Sequence, residues 1–215
     1  MNLMYVGRIV ALGKTKDGHN SALYRVSSRS FPNRKAVTNN GIISVIPREG
    51  FENDIHRNPY IAYNAIRIAS GWAVATNGTH TDPIVEKIHS GVPIRDAIAL
   101  SLMTLDYEKD EYSTPRIVAA VPSQGDSGWL AIVRRDALII KEVELKAGQS
   151  QYLATYEADE INTEHTSIYD AASAETAARY IIDGGSYAAF EKPVTSASAV
   201  AIKNNFELGT YIVGN

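Results

Sequence analysis

A chain of 215 residues that is 45% hydrophobic, 21% charged and 8% aromatic has the make-up of a globular protein and not of a disordered one. It contains no cysteine, which excludes disulfides, Cys-held metals and a thiol nucleophile. The net charge of −3 argues against general nucleic-acid binding, and no apolar run approaches the ~20 residues of a membrane span.

The first residues run straight into Arg8 with no apolar signal core, so a cytoplasmic protein of one domain, 1–215, is expected. Charge is unevenly placed. Residues 1–35 carry seven basic groups against Asp17 alone, whereas the other 180 residues carry −9. A basic cluster on an acidic protein suits a small anion better than a polyanion.

In chain order, 4–12 and 22–28 read as strands, with Gly13 and Gly18 in the turn between them. Residues 42–46 form a third strand, and 60–68 with 72–75 a hairpin around Ser70-Gly71. The period then changes. Residues 82–89 read as a helix ended by Gly91, and Pro93 opens a second helix with an apolar stripe from Ile94 to Leu105. Strands follow at 116–121, 129–134, 138–145 and 152–156, then a helix at 173–183 and a last strand at 196–203. This order predicts mainly antiparallel sheets with helices on their outer faces, an α+β protein.

Four segments could carry chemistry. In a strand, Arg25, Ser27 and Arg29 share one face and lead into a turn ending at Arg34. Guanidiniums grip phosphate or carboxylate oxygens bidentately, although an exposed strand with ordinary ion pairs gives the same pattern. Tyr60 and Asn64 would share a second strand face, able to stack on a base and hold an amide. The loop from Thr76 to Asp82 offers Asn77 and His80 before a helix start. Asp106, Tyr107 and Glu108 end the long helix, where carboxylates oppose the macrodipole, and Arg116 returns to the same region. No second histidine lies at metal-ligand spacing, so no bound metal is expected, and neither a nucleophile-elbow nor a P-loop motif is present.

Taken together, the stretches 5–8, 24–34, 58–64, 76–82, 93–97, 103–110, 114–116 and 192–195 resemble the archaeal IMP cyclohydrolase family, in order and over nearly the whole chain. The Arg-Val-Ser-Ser-Arg-Ser-Phe-Pro-Asn-Arg run from Arg25 is the most specific of them. The chain departs from the family at Ala65, where members often carry Cys.

The resemblance implies closure of a formamido-imidazole-carboxamide ribonucleotide to inosine monophosphate with loss of water. It also implies a four-layer αββα sandwich similar to N-terminal nucleophile hydrolases, and no cofactor. On that reading Arg25, Arg29 and Arg34 hold phosphate or polarise the formyl carbonyl. Asn64 and Tyr60, with Ser27, Asn77 and Arg116, bind the substrate. Glu108 with Asp106 moves protons, and Tyr107 or His80 assists the leaving oxygen. The expected partner is a purine nucleotide, with a homo-oligomer (dimer or tetramer) and no nucleic acid or membrane. An amide hydrolase of the same fold and a non-catalytic nucleotide binder are the competing readings.

Overall fold

The computed structural model describes residues 4–214. The expectation drawn from the first residues of the chain therefore lies partly outside them. Two sheets organise the chain, and every strand pairing within them is antiparallel. The first has the order β11-β10-β1-β2-β12-β13, with β1 at Ile9–Lys14, β2 at Asn20–Ser27, β10 at Gln149–Ala154, β11 at Thr166–Ile168, β12 at Pro193–Ile202 and β13 at Asn205–Ile212. The second runs β3 to β9 in sequence order: Arg34–Asn39, Ile42–Pro47, Tyr63–Ala69, Trp72–Thr76, Arg116–Pro122, Ser127–Arg134 and Ala137–Glu144.

The sheets face each other across a shared apolar core. Val10, Leu12, Tyr24 and Val26 from one meet Val45, Tyr63, Ile117 and Ile132 from the other. The intervening residues point outward. Ile9, Leu23 and Val200 pack under α4 (Ala174–Asp183), while Val118, Ala120 and Ala131 pack under α2 (Thr81–His89) and α3 (Ile94–Leu105). Both faces of β2 are thus covered, which is why all eight of its residues are buried and its sequence shows no polar alternation. A four-residue helix, α1 (Asp54–Arg57), links β4 to the next turn. Among the described residues no helix is long and apolar enough to cross a membrane.

Several expected boundaries move. The first strand begins at Ile9, not residue 4, where Met4 makes only an isolated bridge to Phe190. Tyr60 is not on a strand. Pro59 fixes φ and lacks an N–H, Asn58 Oδ1 accepts the Tyr60 N–H at 2.8 Å, and Pro59–Ile61 closes a 3₁₀ turn before β5 starts at Tyr63. The 72–75 hairpin partner and both central helices lie where the sequence puts them. Strands β3, β11 and β13 are additional to the expected set.

Candidate active site

The site gathers at the end of the sandwich where β2 leaves, β3 and β7 begin, and the loop after α3 crosses over. Its buried floor is a charge cluster. Arg8 Nη2 donates to Glu108 Oε2 at 3.0 Å, and Arg116 Nη1 lies 3.8 Å from Glu108 Oε1. Burial pushes the Glu108 carboxyl up, and the two guanidiniums beside it pull the other way. Burial alone would lower Arg8, but the Glu108 carboxylate together with the Tyr63, Tyr24 and Tyr156 side chains outweighs it and holds the guanidinium above its ordinary value.

Backbone geometry sets these groups. Gly7 takes φ +70°, and a Cβ there would lie 2.3 Å from Thr155 Oγ1. That same oxygen accepts the Arg8 N–H at 3.0 Å, which fixes where the arginine leaves the chain. Across the cluster Gly78 leaves the space open, because a Cβ would stand 2.9 Å from Arg116 Nη1 and 3.1 Å from Glu108 Oε1. Arg116 Nε donates to the Asp106 carbonyl at 2.8 Å, and its guanidinium lies 5.9 Å from the centre of the Tyr60 ring.

A second group sits beside the first. The Tyr24 and Tyr63 hydroxyls are 2.5 Å apart, with the charges of Arg8 and Arg34 acting on both rings. Burial, then Tyr63 alongside, pushes Tyr24 well above the usual phenol range, so it keeps its proton. Arg34 is 2% exposed, and among the described residues only its Nε is bonded, to the Phe31 carbonyl at 3.1 Å. The turn that carries it is closed by the Phe31 N–H on Ser28 Oγ at 3.0 Å.

Two open cavities adjoin these groups through Tyr156, whose hydroxyl acts on Arg8, and Tyr60, whose ring lies near Arg116. One of about 680 Å³ is lined by Met4, Tyr5, Arg29, Ser30, Tyr112, Tyr156 and Glu157. The other, about 380 Å³, is lined by Phe31, Arg57, Asn58, Tyr60, Asp110 and Glu111 and shares Ser30 and Tyr112 with the first. Tyr5 stacks on Tyr156 with centroids 6.1 Å apart, and the Arg29 guanidinium lies 4.2 Å over Tyr5. An aromatic opening lined by Arg29 and Arg57 can hold a flat heterocycle and an anion together.

Of the residues expected from sequence, Glu108, Arg34, Arg116, Arg29 and Tyr60 come together here. Others do not. Arg25 is wholly buried on the outer face of β2, where its guanidinium donates to the carbonyls of Ile181, Ile182, Tyr187 and Phe190 and to Ser27 Oγ. It satisfies the unpaired carbonyls at the negative end of α4, and Ser27 is taken up with it, so both leave the anion-binding set. Asn77 is fully buried, its amide bridging the Pro115 carbonyl and the Ile117 N–H at 2.8 Å each, a brace for β7 instead of a ligand contact. Asn64 is held between Ser44 Oγ and Asp82 Oδ1 on the side of α2.

His80 changes role. Its Nε2 faces the Ile117 carbonyl at 3.0 Å and must carry the proton, which leaves Nδ1 as a bare acceptor 3.4 Å from Arg116 Nη1. Burial and the Arg116 charge push it down to about 3, so it is no proton donor near neutrality. Asp106 and Tyr107 face solvent instead of the floor. The Asp106 carboxylate pairs with Lys109, which holds it below its usual range, and the same ammonium lies 3.4 Å over the Tyr107 ring.

Arg8, Tyr5, Tyr24, Tyr63, Tyr156 and Tyr112 are the contributors that the site residues read from sequence omit. Tyr5-Val6-Gly7-Arg8 lies among the stretches carrying the resemblance, and Arg8 is one of the seven basic groups of residues 1–35, so two signals pointed to it. Among the described residues no three His, Asp or Glu side chains converge as metal ligands would.

Residues 5–205 match the model of the IMP cyclohydrolase-like protein family. The chain is 49% identical to the IMP cyclohydrolase of Methanococcus aeolicus over 210 residues, covering 96% of this chain and all of that one. It is 48% identical to the IMP cyclohydrolase of Methanosphaera stadtmanae over 196 residues, 91% and 94% of the two chains. Against the Methanocaldococcus jannaschii IMP cyclohydrolase it is 42% identical over 208 residues, 96% and 98% of the two.

Proposed function

The chain belongs to the IMP cyclohydrolase family, and from that premise we propose how its site closes the purine ring. It is an enzyme of purine biosynthesis whose product is inosine monophosphate. Its substrate, a formamido-imidazole-carboxamide ribonucleotide, brings its own nucleophile and electrophile. The carboxamide nitrogen adds to the formyl carbon and gives up one of its two protons, a C–N bond forms, and the formyl oxygen takes the electron pair of its π bond. That oxygen takes up two protons and leaves as water as its C–O bond breaks, and the former formamido nitrogen loses its proton as the ring C=N forms.

Such a reaction needs near-attack geometry, a positive field where oxygen gains charge, and a proton for its departure. Arg8 and Arg34 supply the field. Tyr63, which keeps 7% of its surface exposed beside them, supplies the proton, and Tyr24 donates to Tyr63 as it does so. Glu108 is 1% exposed and touches the two guanidiniums, so it positions Arg8 and Arg116 and does not meet the substrate. Arg29, at the mouth, and Arg116, beneath Tyr60, bind the nucleotide.

The observation that carries this reading is the Tyr24–Tyr63 hydroxyl pair with the charges of Arg8 and Arg34 acting on it. The same reading takes the protein as one cytoplasmic unit whose layers form the αββα sandwich of N-terminal nucleophile hydrolases. Placement of α4 on one outer face and of α2 and α3 on the other supports that fold. The test is ultraviolet detection of ring closure with the purified chain and the formamido nucleotide. Turnover that survives in Arg8→Ala and Tyr63→Phe would rule out this assignment of groups.

A further inference from the structure

Tyr112 is the large aromatic with the most open position at the mouth. It is 67% exposed, and it borders both cavities at the point where they meet. The neighbouring rings are already occupied. Tyr5 has Tyr156 stacked with it and the Arg29 guanidinium over it, and the Phe31 and Tyr60 rings lie near the guanidiniums of Arg57 and Arg116. Among the described residues Tyr112 has no ring or guanidinium stacked on it. Its π face is therefore open to a ligand.

The segment bearing it is anchored at both ends. The Glu108 N–H donates to the Thr114 carbonyl at 2.8 Å, and the Thr114 N–H and hydroxyl donate to the Asp110 carboxylate at 2.8 and 2.6 Å. Thr114 Oγ1 also meets the Tyr156 hydroxyl at 2.9 Å, which ties this segment to the opposite wall of the cavity. These bonds hold the segment that carries the ring at the entrance.

We infer that Tyr112 is the stacking platform for the heterocycle of the nucleotide, and so the residue that selects a base-bearing ligand over a bare sugar phosphate. The inference rests on the purine-nucleotide reading and extends it to a named side chain. Stacking on an aromatic side chain needs only a π face, so Tyr112 serves the open imidazole substrate and the closed purine product alike.

Calorimetric titration with inosine monophosphate and inhibition by ribose 5-phosphate, on wild type and Tyr112 variants, test it. Tyr112→Ala and Tyr112→Leu are expected to weaken inosine monophosphate by roughly 10- to 100-fold, the loss that removal of a stacked base produces, while inhibition by ribose 5-phosphate holds its wild-type value. Tyr112→Phe restores most of the nucleotide affinity. Equal loss for both ligands would mean a general disturbance of the site and would overturn the inference, as would unchanged nucleotide affinity in Tyr112→Ala. In either case wild-type turnover leaves the purine-nucleotide reading standing. A wild-type chain that neither binds inosine monophosphate nor cyclises the substrate sinks both.

Discussion

Arg8 and Glu108 stand 100 positions apart in the chain and meet at 3.0 Å in the interior. The pairing ties the residue just before β1 to the loop that follows α3, so the two sheets share one charged floor at this end of the sandwich. A single carboxylate between Arg8 and Arg116 orients both without neutralising either fully, and leaves Arg34 to face the same space. That arrangement favours an oxygen that becomes negative only during reaction.

Glu108→Gln keeps the shape and removes the charge. We expect kcat to fall by up to about 100- to 1000-fold, the range found when an oxyanion contact is removed, with little change in affinity for inosine monophosphate. A positioning carboxylate leaves the acid limb of the kcat–pH profile in place. Disappearance of that limb in the variant would identify Glu108 as a proton carrier and would refute its positioning role.

Arg25→Ala is expected to cost stability in the first place. The carbonyls of Ile181 and Ile182 at the end of α4, and of Tyr187 and Phe190 beyond it, lose their donor in a site closed to water. A loss of about 3 kcal/mol or more follows from broken charge-assisted bonds, and lowers Tm by roughly 10 °C in a domain of this size. Scanning calorimetry measures it. Wild-type Tm with a raised KM would return Arg25 to the substrate site.

Much of this was legible in sequence, and the failures have physical causes. The alternation rule places Arg25 and Ser27 on one face, as the 2.9 Å bond between them shows. What it cannot say is which of two buried faces is the cavity side, because β2 is covered on both. Strand β3 escapes notice because Lys35, Thr38 and Asn39 make it polar, as an edge strand should be. Its turn nonetheless carried a signal: Asn40 and Gly41 both take positive φ, as a two-residue hairpin turn requires. Strand β13 hides in the same way behind Lys203-Asn204. Glu108 was findable, because a carboxylate that works against a helix dipole needs a reason. Tyr24 and Tyr63 were not, since each reads as a core aromatic until the sheets are stacked.

His80 predicts a pH effect with a definite sign. Folded, it stays neutral down to about 3, whereas the unfolded imidazole takes up a proton below about 6.5. The unfolded state therefore binds more protons between those values. Stability contributed by neutral His80 is complete above pH 6.5 and is lost as pH falls toward 3. In urea titrations the margin of wild type over His80→Gln should shrink by about 2 kcal/mol between pH 7 and 5. A margin that stays constant would show that the ring titrates normally in the folded protein.

The tyrosine pair separates chemistry from packing most directly. Tyr24 is fully buried and can act only through Tyr63, which retains some exposure. Both Phe variants break the same hydroxyl contact, so both should lose about 1–2 kcal/mol of stability from the oxygen left unpaired. Their kinetics should differ. Tyr63→Phe removes the proton donor and should lower kcat by about 100- to 10,000-fold, with KM nearly unchanged. Tyr24→Phe leaves that donor in place and weakens only its support, so a drop of about tenfold is expected, one hydrogen bond's worth. Steady-state rates on the two variants decide the matter. Equal losses would mean the pair serves packing alone, and a larger loss for Tyr24→Phe would reverse the assigned order of proton donation.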